Sequence, residues 1–261
     1  MRLVSAALIA AGLTALASAS SVAATAPAKS VPKPAPAAKA VLVEAGALQA
    51  LGRMSTYLRS NQAFEAKLTM QRDEVDAYGQ VLTFNGETDY KVKAPNAFTI
   101  DIAEGQKTRK YIYDGKSVVV FDPRTSYYAR FPGQPTIRAT LEAAYDKFGI
   151  TVPLDDLFRW GEGNQQSARL TAGHFVETTT VNGQAADHYA FRQPGVDWQI
   201  WIATGAKPVP LRVAIVASGD ASRPRFQADL AWDTAPQFAA DTFVFTPPAG
   251  AKSIPIAANT R

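Results

Sequence analysis

The strongest constraint on the fold of this chain is a two-residue alternation that recurs in segment after segment, punctuated by tight turns. From Ala63 onward, Phe64, Ala66, Leu68 and Met70 alternate with Glu65, Lys67, Thr69 and Gln71. An extended strand with this pattern has one apolar and one polar face. Segments of the same kind lie at residues 80–93, 98–102, 110–113, 117–122 and 126–131, and again at 175–181, 185–193, 196–202, 211–217 and 225–232. Asp114-Gly115, Asn182-Gly183, Pro194-Gly195 and Gly219-Asp220 supply the turns between neighbours. Short turns can join only antiparallel strands, so the pattern predicts a meander of about eleven strands.

Two stretches break the alternation with helical spacing. In residues 44–60, Leu48, Leu51, Met54 and Leu58 recur every three to four positions, which predicts an amphipathic leading helix. In residues 136–148, Ile137, Leu141, Tyr145 and Phe148 share one side, with Thr136 as the cap and Gly149 as the stop. A short helical piece at 154–160 follows Pro153. Val118-Val119-Val120-Phe121, Ile200-Trp201-Ile202 and Val213-Ala214-Ile215-Val216 are apolar on both strand faces, so a second layer must cover them. The helices are the expected cover. A curved sheet around helices encloses either a filled core or a lined cavity, and the pattern allows both.

The ends and the composition define the setting. Arg2 followed by the apolar run 6–17, with small-residue sites at Ala19 and Ala24, predicts a secretory signal peptide over residues 1–24. The run is shorter than the roughly 20 residues needed to span a bilayer, so a membrane-spanning segment is not expected. Residues 25–43 are rich in Ala, Pro and Lys and contain no acidic residue, as in a solvated linker, and residues 44–261 are expected to form a single domain. The chain has no cysteine, which excludes a disulfide scaffold and implies a free exported protein with no lipid on an N-terminal cysteine. The 27 Lys and Arg residues are scattered among 23 Asp and Glu, so the net charge of +4 builds no basic patch and nucleic acid is not an expected partner.

Three stretches carry a family resemblance: Lys93-Ala94-Pro95-Asn96-Ala97-Phe98, Asp114-Gly115-Lys116 leading into Val118 to Phe121, and Phe243-Val244-Phe245-Thr246-Pro247-Pro248-Ala249-Gly250 near the end. In their order, behind a leading helix, they resemble the LolA and LolB lipoprotein carriers of the Gram-negative envelope, and more closely a group of uncharacterised predicted periplasmic proteins with that fold. The resemblance covers residues 45–254. It implies an open, strongly bent antiparallel sheet around helices that form a lid over an apolar cavity for acyl chains. Ala94 stands where LolA carries an arginine that helps hold the lid, so lipoprotein transfer in particular is not implied.

Catalytic and metal signatures are missing from the sequence. His174 and His188 are the only histidines, and the zinc spacings, nucleophile elbow, P-loop and dinucleotide fingerprint are all absent. Asp187 and His188 are adjacent on a strand and therefore face opposite ways, so they cannot easily hydrogen-bond as a relay, and a structural or surface role for the histidine is favoured over a catalytic one. Asp155-Asp156 fits charge placed at a helix start. No catalytic residue, metal or cofactor is assigned, and an enzyme ranks last among the function classes.

The expectation is thus a mainly β protein with helices (α+β), a single curved antiparallel half-barrel wrapped around a leading helix and a helical lid, acting as a monomer. Its expected function is to bind a lipid or acylated ligand, with an envelope sensor that binds a partner protein as the alternative. The apolar faces place the ligand against Phe64, Leu68, Met70, Leu82, Phe84, Phe98, Ile100 and Trp198, with Leu141, Tyr145, Leu157 and Trp160 on the lid.

Overall fold

A computed structural model describes residues 43–154 and 167–258. Helix α1 (Ala45–Ser60) leads into six strands, β1 (Ala63–Val75), β2 (Val81–Lys93), β3 (Ala97–Glu104), β4 (Lys107–Tyr113), β5 (Ser117–Asp122) and β6 (Tyr127–Pro132). Helix α2 (Ile137–Phe148) follows. A second run comprises β7 (Ala172–Val181), β8 (Gln184–Gln193), β9 (Val196–Ala203), β10 (Pro210–Val216) and β11 (Arg225–Asp233), and β12 (Lys252–Ser253) comes last. The twelve strands form one sheet in the order β12-β6-β5-β4-β3-β2-β1-β11-β10-β9-β8-β7. Each run is a meander, as the turns predict, and the two meanders join where β11 pairs with β1, Leu68 opposite Leu230. Every pairing is antiparallel except that of β12 with β6. The short β12 leaves no alternation to read, which is why the sequence pattern counts one strand fewer.

The register lines up one continuous inner face. Phe64, Leu68 and Met70 of β1 share it with Tyr90 and Val92 of β2, Phe98 and Ile100 of β3, Leu230 and Ala228 of β11, Val213 of β10, Ile200 and Trp198 of β9, and Tyr189 and Phe191 of β8. These residues are buried together with Ala47, Leu51, Met54 and Leu58 of α1. The N-terminal end of α1 is tied to the β7 edge, where Glu44 N–H donates to Gly173 O at 2.8 Å and Phe175 N–H donates to a Glu44 carboxylate oxygen at 3.0 Å. Thr136 caps α2 by accepting from Ala139 N–H at 3.2 Å, and Ile137 N–H donates to Pro95 O at 2.9 Å, which anchors that helix to the β2–β3 turn.

The outer face is covered differently from the expectation. The helices lie on the inner face only, while Ile112, Val119 and Phe121 form a separate outer cluster beneath Phe245 and Ala251. The ring of Phe245 sits 5.4 Å from Phe121 and 5.2 Å from Tyr128, centre to centre. Thr99 donates its hydroxyl to Thr242 O at 2.9 Å, and Lys252 and Ile254 N–H donate to Ser126 and Tyr128 O, each at 2.9 Å. The C-terminal segment is therefore a strap across the outside of β3–β6, and the both-faced apolarity of β5 reflects a helix layer on one side and this strap on the other. On the outside of the second meander, His188 stacks on Trp201 at 4.0 Å, Arg212 lies 5.8 Å from the Trp201 ring centre, and Arg212 pairs with Asp229 at 2.6 Å. This ladder runs across β8 to β11.

Candidate functional site

Between the C-terminal end of α1 and the first turn of α2 the described residues leave the inner layer open. A cavity of about 330 Å³ remains, with a floor of Phe64, Tyr90, Val92, Phe98 and Ile100 from β1–β3. Ala94 and Pro95 of the β2–β3 turn form one wall. Leu58, Arg59 and Asn61 at the end of α1 form another, and Thr136, Ile137, Arg138 and Leu141 of α2 a third, with Val152 beyond it. The floor residues are buried. The polar atom of Tyr90 is engaged elsewhere, its hydroxyl donating to Pro153 O, so the floor presents carbon to whatever enters. Arg59 and Arg138 are exposed and so mark the mouth. Under α2 itself packing is nearly complete: Phe131 meets Phe148 at 4.8 Å, and a residual void of about 10 Å³ is too small for a ligand.

The residues expected to face a ligand divide into five groups. Phe64, Phe98, Ile100 and Leu141 line the cavity. Leu68, Met70 and Trp198 are on the same inner face but buried in the packed core, with Trp198 4% exposed and stacked on Phe191 at 4.4 Å. Tyr145 is half-buried on α2 outside the lining. Leu82 and Phe84 have the expected parity but lie on the part of β2 that runs past the end of β3. They are 37% and 36% exposed, and with Tyr78 at 95% they leave an apolar hairpin end in solvent. At the base of that hairpin Arg72 bonds Glu74 and Glu104 and closes the inner trough with charge. Leu157, Trp160 and Asp155-Asp156 lie outside the described residues.

The candidate lining read from the sequence omits Tyr90 and Val92. Their signal was present, since Tyr90 and Val92 continue the alternation of β2 with the parity of Phe84. Ala94, the position where the LolA resemblance departs, lines the cavity wall. Asp187 and His188 face opposite ways as expected: Asp187 accepts from the Thr178 hydroxyl at 2.7 Å, and the His188 ring is 3.0 Å from the Gln199 side-chain oxygen. Burial lowers the His188 pKa below its ordinary 6.5, against the hydrogen bond that its ring donates to the Gln199 oxygen and the charge of Glu177, which raise it, with His174 lowering it further. Burial likewise raises the Tyr111 phenol on the inner face, opposed by Arg109. No cluster of metal-ligating side chains occurs among the described residues, and among them no helix is long and apolar enough to cross a membrane.

An open antiparallel sheet bent around two helices, with an apolar cavity between them, defines a LolA-like half-barrel. The chain belongs to the family described as predicted periplasmic protein (DUF2092), whose family model matches residues 47–257. No protein of curated function matches it in sequence. Among solved structures it is similar to the lipoprotein LppX of Mycobacterium tuberculosis, at 14% identity and a TM-score of 0.48, over 74% of this chain and 97% of that one. An uncharacterised conserved protein of Thermus thermophilus aligns at 12% identity and a TM-score of 0.46, over 80% and 99% of the two chains. A LolA superfamily protein of Nitrosomonas europaea aligns at 10% and 0.32, over 76% and 97%.

Proposed function

We propose that this protein binds one apolar chain of a lipid or lipid-modified ligand in the cavity between α1 and α2, and carries it through the periplasm without acting on it chemically. The observation that supports this reading is the cavity: its volume falls near the lower end of the roughly 300–1,000 Å³ typical of ligand pockets, and its floor is aromatic and aliphatic. Burying an acyl chain there gains about 0.8 kcal/mol per methylene, so binding needs no specific polar contact along the chain. In the same reading residues 1–24 are an export signal, removed near Ala19 or Ala24, and residues 44–261 are the working domain.

The test is native mass spectrometry of the protein from a periplasmic extract, followed by solvent extraction of what co-purifies. A stoichiometric acyl species is expected. A bare polypeptide that also takes up no added fatty acid would overturn the reading. Leu141→Trp should fill the cavity and lower fatty-acid affinity by tenfold or more, on the order of the loss when a bound apolar chain is excluded from its pocket. A second reading, a module that binds a partner protein, draws support from the exposed apolar hairpin end at Tyr78, Leu82 and Phe84. Capture of an envelope protein that is lost on Leu82→Ser with Phe84→Ser, while fatty-acid uptake persists, would favour it.

A further inference from the structure

The cavity and the small void under α2 share three residues. Phe98 of β3, Leu141 of α2 and Val152 line both, so they form the wall between the two spaces. Beyond that wall the void of about 10 Å³ is bordered by Val118 and Phe131 of the sheet and by Thr140 and Ala144 of α2. The Thr140 hydroxyl accepts from Gln134 N–H at 2.9 Å, so its polar atom is already held by the connection between β6 and α2. Phe98 is fixed in the wall: its ring rests 5.3 Å from that of Tyr113, centre to centre, and Tyr113 is fully buried with its hydroxyl donating to Gln134 O. Val152 is buried as well. Leu141 is the half-buried member, and it stands on a helix held at both ends. Thr136 caps the start of α2, and Gly149, in the left-handed conformation, closes it by donating its N–H to Tyr145 O at 2.8 Å. A helix held in this way keeps Leu141 at a set place in the wall.

From this shared wall we infer that Leu141 sets the length of chain the protein accepts. The end of an acyl chain lying on the cavity floor stops against Leu141, Phe98 and Val152, and the void behind them is room that only a smaller residue at position 141 opens. The inference rests on the apolar-cavity reading above and adds a chain-length limit to it. Affinity grows about fourfold for each methylene that finds apolar cover. Growth ends where the next methylene meets a packed wall, because a close-packed interior gives way only at a cost. Ala144 follows Leu141 by three residues and so lies on the same side of the helix, which means that bulk removed at 141 can be returned at 144.

The experiment is calorimetric titration of the purified protein with straight-chain fatty acids from hexanoate to palmitate. The unaltered protein should gain about fourfold in affinity per methylene up to a break, and nothing beyond it. Leu141→Ala removes about three carbons and opens the void, so the break should move to acids longer by about three methylenes, less what the site closes by relaxing. Leu141→Phe should move the break to shorter acids. Leu141→Ala with Ala144→Leu should bring it back toward the original length, which a general loosening of the protein would not do. A break that stays in place in both single variants, or moves the same way in both, would overturn the inference while leaving the apolar cavity standing. Failure of every acid to bind the unaltered protein would overturn the cavity reading itself, and the inference with it. Should circular dichroism show Leu141→Ala to be unfolded, Leu141→Phe decides alone, and an unmoved break in that variant overturns the inference.

Discussion

The two meanders present the same kind of inner face, yet one is filled and the other is hollow. In the half built from β7–β11, Phe191 stacks on Trp198 at 4.4 Å, and Ile200, Val213 and Leu211 are buried beside them. Gly173 on β7 makes this possible, since a Cβ there would stand 2.8 Å from the Phe191 ring. In the half built from β1–β6, the inner face is shared by the end of α1 and the start of α2, which rest on different anchors. The cavity lies over the strands between the end of one helix and the start of the other. The comparison teaches that a hollow does not require unusual residues. It requires that the covering elements be positioned by contacts elsewhere.

The largest effect expected from this contrast is in the filled half. Trp198→Ala should destabilise the protein by about 3–5 kcal/mol in denaturant unfolding, the range for removing a large buried aromatic. An unchanged midpoint would show that the second half is not packed as described. Next in size, Phe245→Ala should cost about 1–3 kcal/mol, because the strap loses the ring that covers Phe121 and Tyr128. Increased binding of a hydrophobic dye should accompany it, and its absence would argue against the strap as the outer cover.

A smaller, pH-dependent effect belongs to His188. Its folded pKa is depressed below 6.5, so the unfolded chain takes up the proton first as the solution is acidified. Its contribution to stability is fully present above pH 6.5 and is lost as pH falls through the folded value. His188→Gln should flatten that part of the stability profile, and a profile identical to that of the unaltered protein would disprove the assignment. The smallest effect is expected at the hairpin end, where Leu82→Ser with Phe84→Ser should change stability by no more than about 0.5 kcal/mol. A larger loss would mean that this end is covered after all.

Much of the fold was legible because strand alternation and helix spacing are local. The strand at Ser117–Asp122 was bounded to the residue, the leading helix to within one residue of its start, and α2 began directly after its Thr136 cap. Of the candidate site, Phe64, Phe98, Ile100 and Leu141 were placed on the right faces and meet at the cavity. Leu82 and Phe84 were placed on the right face too, yet they are exposed, because parity says which way a side chain points and not whether anything lies above it. Trp198 shows the converse, an inner-face residue whose cover is so complete that no space remains.

By itself, then, the sequence determined the antiparallel meanders, the two helices and the family, since each depends on residues close together in the chain or on short motifs. Tertiary structure alone decided that β11 pairs with β1, that a C-terminal strap and not a helix covers the outside of β3–β6, and that the end of α1 and the start of α2 flank an open space over β1–β3. Those outcomes depend on contacts between residues more than a hundred positions apart, such as Thr99 with Thr242 and Glu44 with Phe175. No local period encodes such distances, so the cavity between the helices becomes visible only once the chain has closed around it.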